Sequence, residues 1–207
     1  MIKLLGKVPD AIYVACSGGP DSMAALNFLS NGRRVVKVAH FDHGTLHADT
    51  ARKFVVDHCK KNNIEYILGT VNRKRDPSES REEYWRNERY RFFKGLDCPI
   101  VTAHHLNDVA EWWVFSSLHG DSKLMPYQNE SVIRPFLLTT KEELLQWNRH
   151  KGVKSVKDPT NRNCAYMRNL IRHRIMPQCL KVNPGLNKVL RKKLEALGTF
   201  SKNVVNL

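Results

Sequence analysis

No CxxC pair occurs in this sequence. Its five cysteines stand alone at positions 16, 59, 98, 164 and 179. An odd, scattered set argues against a disulfide framework, a zinc ribbon or iron–sulfur ligation, and points to reduced thiols in a cytoplasm. No stretch approaches the ~20 apolar residues of a membrane-spanning helix. The opening MIKLLGKVPD is too short and too interrupted for a secretory leader. A cytoplasmic protein with no membrane partner is expected. Acidic residues are scarce, with 20 Asp and Glu against 34 Lys and Arg, a formal charge of +14. The imbalance is concentrated late: residues 141–207 hold 15 basic and 4 acidic side chains, a net of about +11. Such a surface suits a polyanion, although a solvated helical face carries charge in the same way. Internal repeats and low-complexity tracts are also missing. The 207 residues are enough for one sizeable domain and a small appendage.

What is present is an alternation. Apolar, β-branched runs recur at AIYVA (11–15), RVVKVAHF (34–41), IEYILGTV (64–71) and CPIVTAH (98–104). Helical patterns lie between and after them, at 21–30, about 48–61, about 78–94 and 107–118. Strands alternating with helices predict an α/β fold, a parallel sheet with helices on both faces. Such sheets take ligands beyond the carboxyl ends of their strands. The polar clusters Ser17–Ser22, His40–His43 and His104–Asp108 fall there. After residue 120 the texture changes. VIRPFL reads as a short strand, and KEELLQWNRHK as a helix with Thr140 and Glu143 spaced as a capping box and Gly152 as its stop. A basic helix is expected to end near Pro177, followed by a last basic amphipathic helix from NPGLNKVL onward. This divides the chain into a nucleotide-binding core over 1–125 and a basic, mainly helical segment over 126–207.

The stretch YVACSGGPDSMAALNFL holds the sharpest signal. A strand runs into Ser17-Gly18-Gly19-Pro20-Asp21-Ser22 and then into helical spacing. Glycines at such a turn let backbone N–H groups converge on an anion, with the positive end of the helix behind them. Neither GxxxxGK[ST] nor GxGxxG is present, and the turn has no lysine to grip a γ-phosphate. A simple glycine turn with an aspartate cap would use similar residues.

SGGxDS resembles the PP-loop of ATP pyrophosphatases, which cleave ATP between the α and β phosphates. That resemblance implies ATP binding by Ser17, Gly18, Gly19, Pro20, Asp21 and Ser22, with Mg²⁺ on the Asp21 carboxylate. Further segments stand in the order found in tRNA(Ile)-lysidine synthetases: VAHFDHG, REEYWRNERYRFF, VTAHHLNDVAEWW, IRPFLLTTKEELLQW and DPTNRNCAYMRNLIRHRIMP. The resemblance covers about residues 11–180. It implies adenylation of the C2 oxygen of the wobble cytidine in a CAU-anticodon tRNA(Ile). Attack by the ε-amine of free L-lysine then gives lysidine, which pairs with A. Asp108 and Glu111, three apart on one helix face, would hold the lysine ammonium, and one of them would take its proton. His43 would lie around the nucleotide, with His104 and His105 at the strand end near the phosphates. Arg86 and Arg89 would neutralise phosphate or the leaving group. Arg168, Asn169 and Arg172, matching RNxIR, would meet the tRNA. A metal site on His40, His43 and His47 lacks a cysteine partner, and hydrogen bonding around the nucleotide is preferred.

This chain departs from the family pattern in places. HHLNDVAEWW replaces the common HHxDDQxET, so Asn107, Val109 and Trp112 stand where Asp, Gln and Thr are usual. HGTLH replaces HGLR. A short form without the usual C-terminal domains is expected. Three other readings stay open: a base-thiolating PP-loop enzyme, an amidotransferase-type synthetase and a non-catalytic tRNA-binding remnant.

Overall fold

A computed structural model of the chain describes residues 1–45, 48–156 and 163–203. A six-stranded sheet forms its centre, in the order β3-β2-β1-β4-β6-β5. The strands are β1 (Ala11–Ala15), β2 (Val35–Asp42), β3 (Tyr66–Thr70), β4 (Ile100–Val101), β5 (Gln128–Asn129) and β6 (Val132–Ile133). All neighbours run parallel except β5 and β6. Between the strands lie α1 (Pro20–Ser30), α2 (Ala48–Lys61), α3 (Arg81–Lys94) and α4 (Leu106–Leu118).

Alternation along β1 explains the two covered faces. Ile12 and Val14 join Val38 and Val101 in one cluster with Met23 and Leu26 of α1 and Val55 of α2. Tyr13 turns the other way, to Ala39, Ile100 and Phe93 of α3. The chain leaves β1 towards β2 and β3, then returns to place β4 on the other side of β1. Strand order therefore reverses between β1 and β4, the position where open α/β sheets form a ligand crevice. The predicted strand at 98–104 is only Ile100–Val101. Beyond it the backbone turns towards α4, carrying Thr102 and His104 to the crevice.

Residues 126–151 also build on the sheet. β6 pairs with β4, a 3-10 turn covers Pro135–Leu138, and α5 (Lys141–Lys151) packs on α1. The Thr140–Glu143 capping box forms, and Gly152 ends α5 at φ 63°. The basic helix does not stop at Pro177. It runs from α6 (Met167–Leu170) through a π turn at Ile171–Ile175 into α7 (Met176–Val182). The wider π turn relieves the crowding between a proline ring and the preceding turn of helix. A last helix, α8 (Leu186–Asn203), brings Leu186, Leu190 and Leu194 onto Val109, Ala110 and Val114 of α4. The C-terminal helices and α4 thus share one apolar cluster, and that packing fixes α6 over the mouth of the crevice.

Candidate functional site

Ser17–Ser22 turns between β1 and α1. Gly18 sits at φ +80°, where a Cβ would lie 3.1 Å from Val156 Cγ2. A glycine meets both the left-handed backbone and the close approach. Val156 N–H donates to the Gly18 carbonyl at 2.9 Å, and Asn148 Nδ2 donates to the Pro20 carbonyl at 2.8 Å. The loop is therefore braced by α5 and the residues after it, more than 120 positions away in sequence. The Ser17 and Ser22 hydroxyls lie 3.2 Å apart, and Ser22 Oγ also donates to the Gly19 carbonyl at 3.0 Å. No side chain caps the N-terminus of α1, so its positive end faces the crevice. Cys16, at the strand end, is 1 % exposed, and burial pushes its thiol pKa up, so it is a packing residue.

A cleft of about 240 Å³ opens beside this turn. Ser17, Asp21, Ser22, His43, Arg89, His104, Asp108, Arg168 and Arg172 line it, together with Phe41 and Thr102. The structure brings together most of the residues singled out from sequence, and it separates the two arginines of α3. Arg89 lines the cleft, where burial lowers its pKa to about 10. Arg86 is exposed, its guanidinium 4.7 Å from the centre of the Tyr90 ring. Asn169 donates from Nδ2 to the Asn163 carbonyl at 3.0 Å, at the turn leading into α6. His40 Nδ1 lies 2.8 Å from the Cys16 carbonyl, so that nitrogen carries the proton. His47 and the Asp158–Arg162 part of the DPTNRN motif lie outside the described residues.

Opposite the glycine turn sits a network of two acids and two arginines. Asp108 is 5 % and Glu111 is 7 % exposed. Arg168 donates to Asp108 Oδ1 at 2.6 Å. Arg172 donates to the same oxygen at 3.0 Å and grips Glu111 with two bonds, at 2.7 and 2.9 Å. The second oxygen of Asp108 accepts the His105 backbone N–H at 2.9 Å, while His105 Nδ1 accepts the Asp108 N–H at 3.3 Å. Burial opposes ionisation of Asp108. His105, Arg168 and His104 override it and hold the carboxyl well below the usual carboxylate range. The arginines paired with these acids are the ones that the sequence motif assigns to tRNA. Half of the Arg168 side chain, 51 %, remains exposed, against 25 % for Arg172.

One contributor escaped the sequence reading. Lys141, the first residue of α5, places Nζ 3.4 Å from Asp21 Oδ2. An amine absent from the loop is thus supplied from across the fold. His105 Nε2 approaches the same oxygen at 3.7 Å. Burial works against the Asp21 charge, but His105 and Lys141 overcome it and its pKa falls below the ordinary value. Asp21 Oδ1 is buried without a hydrogen-bond partner, a hard oxygen donor left over. The departures from the family motif also find places. Asn107 Oδ1 accepts the Lys141 backbone N–H at 2.9 Å, tying α4 to α5. Val109 is fully buried, and Trp112 stacks on Phe115 at 5.7 Å.

His104 gives the cleft a pH signature. Its Nδ1 lies 2.7 Å from Thr102 Oγ1, and burial, aided by Arg168, Arg134 and Arg89, pushes its pKa from 6.5 down to about 3. Below about pH 6.5 the unfolded chain binds a proton that the folded chain refuses. Stability is therefore expected to fall as pH drops from about 6.5 towards 3. The Asp108 contribution has the same sign at lower pH: it is present above the ordinary carboxylate value and lost as pH falls through the depressed one. Urea unfolding at pH 7 and 4.5 should show a loss in the wild type that His104→Gln reduces. Equal losses in both would show that His104 does not titrate in this way.

The fold and the turn have counterparts. A family profile described as the PP-loop domain matches residues 2–179. The chain is 35 % identical over 190 residues to the tRNA(Ile)-lysidine synthase of Thermotoga sp. (strain RQ2), covering 84 % of this chain and 46 % of that protein. It is 31 % identical to the tRNA(Ile)-lysidine synthase of Thermosipho africanus, covering 96 % of this chain and 51 % of that protein. The chain thus spans about half the length of these curated relatives. Among solved structures, the U34-tRNA thiolase NcsA from Methanococcus maripaludis superposes with a TM-score of 0.68 at 19 % identity, over 93 % of this chain and 74 % of that one. With the loop at the β1–β4 crevice and a profile match over most of the residues, the chain belongs to the PP-loop family.

Proposed function

We propose that this protein ligates free L-lysine to C2 of the wobble cytidine of a CAU-anticodon tRNA(Ile), using ATP. The observation that carries the reading is one cleft with a PP-loop on one side and, on the other, buried Asp108 with the arginines that tie it to Glu111. Relatives named tRNA(Ile)-lysidine synthase support the choice of substrates.

In this reading the glycine turn, the α1 terminus, Lys141 and Arg89 hold the triphosphate. The buried, unpartnered Asp21 Oδ1 suits Mg²⁺, which accepts one carboxylate and draws its other ligands from phosphate and water. Bound there, the ion would neutralise phosphate charge. The cytidine O2 attacks the α-phosphorus, pyrophosphate leaves, and the base becomes an O2-adenylate. The neutral ε-amine then forms the C2–N bond, the C2–O bond breaks, and AMP departs with the oxygen. Free lysine has a pKa near ~10.4 and must lose a proton in place. Asp108, held ionised, anchors the ammonium and is a poor acceptor for that proton, which leaves to solvent water at the open cleft before the neutral amine attacks.

The acids are already paired, so lysine must compete for them. Arg168 is the partner to displace, because it is half exposed while Arg172 is locked to Glu111 by two bonds. Once turned outward, its guanidinium is free to meet an RNA phosphate. This preserves the sequence assignment of Arg168 and gives Arg172 a holding role. Arg89, and not the outward Arg86, is the α3 arginine that serves the phosphates.

Incubation with ATP, Mg²⁺, radiolabelled lysine and a panel of tRNAs tests the reading. The expected result is label on CAU-anticodon tRNA(Ile) with AMP and pyrophosphate as products. Release of ADP, or label on no RNA, would overturn it.

A further inference from the structure

We propose that Trp85 and Tyr166 form a stacking site for an unpaired RNA base next to the one taken into the cleft. The inference rests on the transfer reading for its substrate class. Arg81, Trp85 and Arg89 are spaced four apart along α3 and so share one helix face. Arg89 lines the cleft. His43, also in the lining, has its ring 5.7 Å from Trp85, and Trp85 lies 6.3 Å from Tyr166 at a 40° tilt. Phe41 stands behind His43 at 5.1 Å. A row of four rings therefore leads from the cleft to the outside, with guanidiniums beside it. Arg81 lies 6.0 Å from the Trp85 ring, and Arg168, two residues after Tyr166, lines the cleft.

The two outer rings, unlike buried Phe41, are not core. Trp85 and Tyr166 are each only partly buried, and neither belongs to the three apolar clusters of the described residues. Partly exposed aromatic rings flanked by arginines suit a nucleobase with its phosphate. A peptide ligand would find no acidic side chain in this row to answer its own cations. A loop that gives up one base to a cleft must splay its neighbours, and a stacking surface at the mouth would hold the next one.

The test uses the full chain and a CAU anticodon stem-loop RNA carrying 2-aminopurine at the adenine after the target cytidine. Trp85→Leu and Tyr166→Leu are each expected to weaken binding about 10-fold and to lose the quenching of the probe. Trp85→Phe is expected to retain most of both. Binding within twofold of wild type, with quenching unchanged, in both leucine variants would overturn the site. So would a loss that Trp85→Phe shares while Tyr166→Leu stays normal, because that marks a packing role. The two readings fail separately. Ring-dependent binding without lysine transfer supports the stacking site and sinks the transfer reading. Full transfer by both leucine variants at wild-type affinity sinks the stacking site and leaves the transfer reading.

Discussion

Asp21→Asn is expected to reduce ATP-dependent transfer by at least ~10²-fold while leaving the fold intact. The carboxylate sits at the mouth of the glycine turn with one oxygen paired to Lys141 and the other buried without a partner. Asparagine keeps the shape and removes the charge that both Lys141 and a bound cation would answer. No interaction of the apolar core depends on Asp21, and an unsatisfied buried oxygen is itself unfavourable. His105 and Lys141 hold the Asp21 charge below its ordinary pKa, so its loss should lower the melting temperature only slightly. Turnover of lysine into tRNA and melting temperature, measured on the same preparation, check the claim. Activity within a few-fold of wild type would remove Asp21 from the mechanism.

Arg172→Ala is expected to destabilise the protein by about 3 kcal/mol, the cost of leaving buried carboxylates without their partner. Arg172 spans Glu111 and Asp108 with three short bonds, and both acids are nearly inaccessible. Lysine at this position should rescue little, because an ammonium cannot reproduce the bidentate grip on Glu111. Removing Glu111 together with Arg172 should cost less than the sum of the single changes, since no lone charge stays buried at that position. Urea denaturation of the single and double variants supplies the cycle. An Arg172→Ala variant as stable as wild type, but weakened only in tRNA binding, would return this residue to the RNA-contacting role read from its motif. Arg168→Ala, half exposed in the wild type, should cost far less stability.

Much of the fold was legible because its signals are local. Five-residue apolar runs mark β1, and the alternation of Ile12, Tyr13 and Val14 between two faces follows from the pleat alone. The capping box of α5 is a three-residue relation between Thr140 and Glu143, and Gly152 ends that helix as its position suggests. The end of the basic helix was misread at Pro177. A proline ordinarily stops a helix, and nothing in the local sequence announces the π turn that lets this one continue to Val182.

The division at the site is the same. By itself the sequence determined the glycine turn at Ser17–Ser22, since the glycines and the helix that follows are a local signal. It also determined that Asp108 and Glu111 share one helix face and that Arg168 and Arg172 share another, because helical spacing alone sets this. Only the tertiary structure decided that these two faces meet. Glu111 and Arg172 are 61 residues apart, and Asp21 and Lys141 are 120 apart. No periodicity encodes such pairs. They follow from the packing of α8 and the π-turn helix on α4, and of α5 on α1, which buries apolar surface without regard to the charges it carries together. The same packing chose Arg89 over Arg86: three residues apart, the two lie on neighbouring parts of one helix face, and only the elements packed against α3 leave one guanidinium in the cleft and the other in water.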